Sequence, residues 1–183
     1  MARPAGVTKA KKAIRKQDFE RLLDFVGKNK MMNHPTRSKL KTAYTLLYCT
    51  GCRISEIVKF TRDDLEQMIK YKEFSLNNRN KTKKPRLIEF SDYQVVLLEK
   101  TLTKETGFLF KKNNSIEPMS ITGLTTLCNE YIQVALGELY SSHGFRRNMI
   151  TQILRKTGRI KLAQVHIGHK SAATTTKYDT PED

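Results

Sequence analysis

Apolar residues recur at helical spacing along most of this chain, and strand-like alternation is confined to two short runs flanking a basic segment. That pattern predicts a mainly α-helical fold with a small antiparallel β-sheet. Phe19, Leu22, Leu23 and Val26 fall on one face of a helix over 18–26. Residues 28–35 read as a loop, after which Thr36 can cap a helix reaching about residue 50, with Leu40, Ala43, Leu46 and Leu47 inward. Gly51 interrupts it, a further helix starts over 53–60, and Thr61 precedes another over 65–69. The runs 73–76 and 86–90 pair as strands around 77–85, which carries Arg79, Lys81, Lys83 and Lys84 and no acid. Helical spacing returns over 92–102, 120–136, 145–154 and 161–167, with Gly158 and Gly168 as stops. The inward face of 145–154 would be Phe145, Met149, Ile150, Ile153 and Leu154.

A length of 183 residues suits one domain with its own core. We read it as a basic N-terminal arm over 1–16 and one folded domain over 17–183. No stretch approaches the roughly 18 consecutive apolar residues of a membrane span. The first sixteen residues lack the apolar core of a secretory signal. They carry Arg3, Lys9, Lys11, Lys12, Arg15 and Lys16 and no acid, as a solvated tail or a phosphate-contacting arm would. Over the chain, 34 Lys and Arg face 18 Asp and Glu, a formal charge of +16. Such an excess repels itself in the folded state and calls for a polyanionic partner, nucleic acid before an anionic membrane surface. Three cysteines, an odd and small number, fit a reducing cytoplasm. Cys49 and Cys52 form a CxxC, but neither a thioredoxin-like βαβ context nor two further zinc ligands accompany it. They read as small helix-end residues.

His143-Gly-Phe-Arg146 sets a histidine and an arginine three apart, on one face if helical. Ser141 or Ser142 can cap that helix, and a helix N-terminus favours a nearby phosphate. His166-Ile-Gly-His169 follows, then Tyr178, while Arg53 stands just after the break at Gly51. Each feature has a plain reading alone. His143 and Arg146 could be a surface pair, and Arg53 could satisfy helix-end carbonyls. His166 and His169 could suggest a metal pair, but no carboxylate or cysteine stands at a supporting spacing.

Taken together, three segments carry more. They are Tyr48-Cys-Thr-Gly-Cys-Arg-Ile-Ser-Glu-Ile57, His143-Gly-Phe-Arg-Arg147 and His166-Ile-Gly-His-Lys-Ser-Ala-Ala-Thr-Thr-Thr-Lys-Tyr178. In order, interval and context the chain resembles the tyrosine recombinase family, which includes phage integrases and Xer-type enzymes, over about residues 18–179. The last segment is the most specific. The resemblance implies that family's catalytic-domain fold and a catalytic set of Arg53, Lys81, His143, Arg146, His169 and Tyr178. Lys81 best matches the family lysine's offset from the second strand, with Lys83 and Lys84 as rivals. It further implies double-stranded DNA as partner, other protomers in a synaptic tetramer on DNA, a cytoplasmic setting, and neither cofactor nor metal.

The residue types suit phosphoryl chemistry. Attack on a phosphodiester builds charge on its non-bridging oxygens, and two arginines offer permanent charge with bidentate geometry. His169 can add a donor, and preorganised charge of this kind can replace a metal ion. A tyrosine with a pKa of about 10 is ionised in roughly one molecule per thousand at neutral pH, so it needs a base, for which His143 is the candidate. A lysine on a loop can protonate the departing 5′ oxygen. The phosphotyrosyl ester conserves the bond energy, so rejoining needs no ATP, in keeping with the absence of a GxxxxGK[ST] segment. Two alternatives share this surface: a type IB topoisomerase-like enzyme, and a DNA-binding regulator that no longer cuts. The intact set argues against the regulator. Family members carry a separate N-terminal helical domain, and many extend beyond the nucleophile. This chain reads either as a fragment or as a minimal recombinase like the short fimbrial-switch inverting enzymes.

Overall fold

The computed structural model describes residues 11–76, 85–112 and 115–168. Among them the order is α1 (Lys16–Lys28), α2 (His34–Thr50), α3 (Ile54–Ile57), α4 (Arg62–Tyr71), β1 (Glu73–Ser75), β2 (Leu87–Glu89), α5 (Asp92–Glu99), α6 (Ile121–Leu136), α7 (His143–Thr157) and α8 (Ile160–Ile167). The expected architecture is present: helices dominate, and β1 pairs antiparallel with β2, Phe74 opposite Ile88. The basic segment 77–84 lies outside the described residues.

Local chemistry sets most of the boundaries. Thr61 accepts from the Asp64 N–H while Asp64 accepts from the Thr61 N–H, a reciprocal cap that starts α4. Ser91 and Ser120 cap α5 and α6 by bonds to the third residue on. Two expectations are corrected. Helix α2 begins at His34 rather than after Thr36, because Asn33 accepts from the Thr36 N–H at 2.9 Å and Pro35 suits the first turn. The helix expected over 53–60 is a single turn, because the Leu109 N–H takes the Phe60 carbonyl at 2.9 Å and draws the chain into an isolated bridge between Thr61 and Phe108.

One core runs through α1, α2, α6 and the start of α7. The rings of Phe19 and Tyr48 stack 4.1 Å apart at 4°, Phe145 meets Phe19 edge-on, and Tyr44 lies 5.9 Å from Phe145. The buried Tyr44 hydroxyl donates to the Cys128 carbonyl at 2.9 Å, tying α2 to α6. A smaller cluster of Ile150, Leu154, Ala163 and Ile167 packs α8 against α7. The expected arm over 1–16 is described only from Lys11, and there it is packed. Ile14 is fully buried, its N–H donates to the Gly144 carbonyl at 3.0 Å, and the Lys12 N–H reaches the Leu139 carbonyl at 2.8 Å. Gly144 is required there, since a Cβ would stand 2.7 Å from the Lys12 carbonyl oxygen and from the Ile14 side chain.

Candidate active site

Arg53, His143 and Arg146 lie among the described residues; Lys81, Lys83, Lys84, His169 and Tyr178 lie outside them. The three that are described converge where the C-terminus of α2, the start of α3, the first turn of α7 and the end of α8 meet. Gly51 makes that meeting possible. It ends α2 in the left-handed region at φ 60°, and a Cβ there would lie 3.1 Å from both Met149 and Ile167 side chains. The chain then turns to set Arg53 at the N-cap of α3, half-buried.

Glu56 fixes Arg53 in two ways. Its carboxylate accepts the Arg53 backbone N–H at 2.7 Å and lies 3.5 Å from the Arg53 guanidinium. Glu56 is only 1% exposed, so this carboxylate is held by cations rather than by water. Arg146, 4% exposed, donates through Nη1 to the Gly51 carbonyl at 3.0 Å and through Nη2 to the Ile167 carbonyl. Burial first, then the charges of Arg53 and Arg86, push its pKa down to about 9, which still leaves a cation at neutral pH. His143 occupies the exposed first position of α7. Desolvation, then Arg146 and Arg53, lower its pKa, which favours the neutral imidazole. The serine cap expected for this helix is absent. Ser142 stands at the N-cap without a side-chain bond, and its N–H instead donates to Asn129 Oδ1 at 2.8 Å.

Sequence reasoning passed over two residues that complete this cluster. Glu56 was legible as the third residue of a helix capped at Arg53. Arg86 was legible from parity, for it shares the inward side of its strand with Ile88 and Phe90. The buried Arg86 guanidinium lies 3.6 Å from the Glu56 carboxylate and donates to Cys52 Sγ at 2.8 Å and the Ile167 carbonyl at 2.7 Å. His166 is half-buried beside it; desolvation, then Arg86, lower its pKa, while Glu89 opposes the shift. Among the described residues, three guanidiniums gather about the buried carboxylate of Glu56, a surplus of positive charge that an incoming phosphate would neutralise. All three cysteines are free and buried, and burial pushes the Cys49 thiol up to about 12. Among the described residues no three His, Cys, Asp or Glu side chains converge as a metal site would, and no helix is long and apolar enough to cross a membrane.

A family model described as the phage integrase family matches residues 12–183. Tyrosine recombinase XerC of Treponema denticola is 26% identical over 156 residues, which cover 74% of this chain and 49% of that protein. Tyrosine recombinase XerD of Oceanobacillus iheyensis is 24% identical over 181 residues, 90% of this chain and 56% of that one. The chain thus spans about half the length of the curated relatives it matches. Among solved structures, the XerA recombinase superposes with a TM-score of 0.69 at 17% identity, over 100% of this chain and 63% of that one. The XerH recombinase bound to a palindromic difH substrate, a post-cleavage complex, gives 0.68 at 19% identity, over 96% and 51%. These structures share the fold described above.

Proposed function

Because the chain belongs to the phage integrase family, we propose that it is the catalytic region of a tyrosine recombinase, which cuts and rejoins DNA at specific sites through a 3′-phosphotyrosine bond. The observation that carries this reading is the convergence of Arg53, His143 and Arg146, from distant parts of the chain, on one cluster with surplus positive charge. The curated relatives are themselves tyrosine recombinases, and XerH was solved on its difH substrate. The formal charge of +16 matches a double-stranded DNA partner. The catalytic domain is residues 17–183, with 11–15 packed upon it.

Arg53 and Arg146 hold the non-bridging oxygens of the scissile phosphate, with His169 as a further donor. Tyr178 Oη attacks phosphorus as His143 accepts its proton, and the bond to the 5′ oxygen breaks. Lys81 protonates that oxygen. A 5′-hydroxyl from a second strand then attacks the phosphotyrosyl ester and frees Tyr178, with no metal, cofactor or nucleotide consumed. Exchange needs two duplexes side by side, hence further protomers on the DNA, in the cytoplasm where the free cysteines remain reduced.

The test begins by selecting bound duplexes from a randomised pool, then nicking the selected sequence to make a suicide substrate. The wild type should give a protein–DNA adduct that survives denaturation. Tyr178→Phe should give none while binding nearly as well. Binding without any adduct would mark a non-cutting regulator; relaxation of supercoils without exchange between duplexes would mark a topoisomerase-like enzyme.

A further inference from the structure

We infer that Arg86 is a positioning residue that holds the end of α8, and with it the origin of the segment carrying His169 and Tyr178, against the turn that carries Arg53. The inference rests on the recombinase reading of this site. Arg86 is 4% exposed and is the last of the basic residues before β2. Its guanidinium spans parts of the chain that are far apart in sequence. Nη1 donates to the Ile167 carbonyl at 2.7 Å, 81 residues away. Nη2 donates to Cys52 Sγ at 2.8 Å and lies 3.6 Å from the Glu56 carboxylate. Glu56 is the group that also orients Arg53, and the Ile167 carbonyl also accepts from Arg146. One forked side chain therefore links Glu56, the first arginine's anchor, to the C-terminal carbonyl of α8, which is also the second arginine's acceptor.

Stability alone accounts poorly for this residue. Among the described residues its buried Nε finds no hydrogen-bond partner. It brings a further cation into a cluster that already holds Arg53 and Arg146. Such a group is costly to bury. Its geometry does fix one thing. The last carbonyl of a helix is a free acceptor, and Gly168, in the left-handed region at φ 70°, ends α8 just beyond it. Two guanidiniums on that carbonyl set where the next segment departs. Lysine keeps the charge but has no planar fork, so it cannot reach the α8 carbonyl and Glu56 together.

Two readouts separate the clamp from a contribution of charge. Amide hydrogen exchange over 160–168 should quicken in Arg86→Lys, while α2 and α7 stay protected. On the suicide substrate at saturating DNA, Arg86→Lys should cleave slower by about 10²-fold, the scale of a misplaced reacting group. Its DNA affinity should change little. Arg86→Met, which removes the charge as well, should match it in exchange and in rate. Full cleavage by Arg86→Lys, or wild-type protection of 160–168 in that variant, would overturn the assignment. Should the wild type itself form no adduct, the recombinase reading fails, and the exchange measurement alone still decides whether Arg86 clamps α8.

Discussion

Glu56 and His143 are the side chains through which the arginine cluster can be read one residue at a time. Glu56 is buried and lies against Arg53 and Arg86. Removing it leaves two guanidiniums without their carboxylate and the Arg53 backbone N–H without its acceptor. Glu56→Ala should cost about 3–5 kcal/mol of stability, the usual loss when one partner of a buried pair is deleted. Urea unfolding checks it, and a loss as small as that of a surface pair would show the carboxylate to be solvated. His143 carries a pH prediction. Its pKa is lowered by desolvation and by Arg146 and Arg53, so the neutral base persists to lower pH than in a free histidine. The acid limb of the cleavage rate should therefore have its midpoint below about 6.5, and His143→Gln should abolish that limb. A midpoint above the free-histidine value would assign the limb to another group.

At the scale of elements, the packed segment 11–15 separates two roles within the basic N-terminal stretch. Ile14 is fully buried between α7 and the core, while Lys11 Nζ reaches the Glu138 carbonyl at 2.7 Å. Ile14→Ala should cost about 2–5 kcal/mol. Deleting residues 1–10 should leave the melting temperature nearly unchanged yet flatten the salt dependence of DNA binding. Arg3 and Lys9 would each contribute about 0.9 to the slope of log K against log salt. An unchanged slope would show that those residues do not touch DNA. The helices and the hairpin were legible because period and caps are local. The hydrogen bond from Lys11 crosses 127 residues, that from Arg86 to Ile167 crosses 81, and no local pattern announces either partner. The truncation of 53–60 to one turn has the same cause, a strand-like bridge to Phe108 that periodicity cannot see.

For the whole molecule, the site was legible as an order of motifs before it was legible as a place. Arg53, His143 and Arg146 could be named from two short segments, but their meeting depends on Gly51 letting α2, α7 and α8 touch. The same cluster couples stability to pH. His143 and His166 both have lowered pKa values in the folded state. Their contribution is fully present above the unfolded histidine value of about 6.5 and is lost as pH falls through the lower folded values. The melting temperature should fall between neutral and mildly acid pH, and less so in His143→Gln/His166→Gln; an equal fall in both proteins would place the titration elsewhere. The proposed chemistry itself turns on which side chain carries the phosphate. Tyr44 is poorly suited, since burial raises its pKa and its hydroxyl is bonded to Cys128, and Tyr48 is pushed up to about 12. The suicide-substrate adduct can be trimmed with nuclease, digested after lysine and sequenced by mass spectrometry. Cleavage after Lys177 should yield a peptide beginning Tyr-Asp-Thr with the nucleotide on Tyr178; a nucleotide on any other residue would contradict the mechanism.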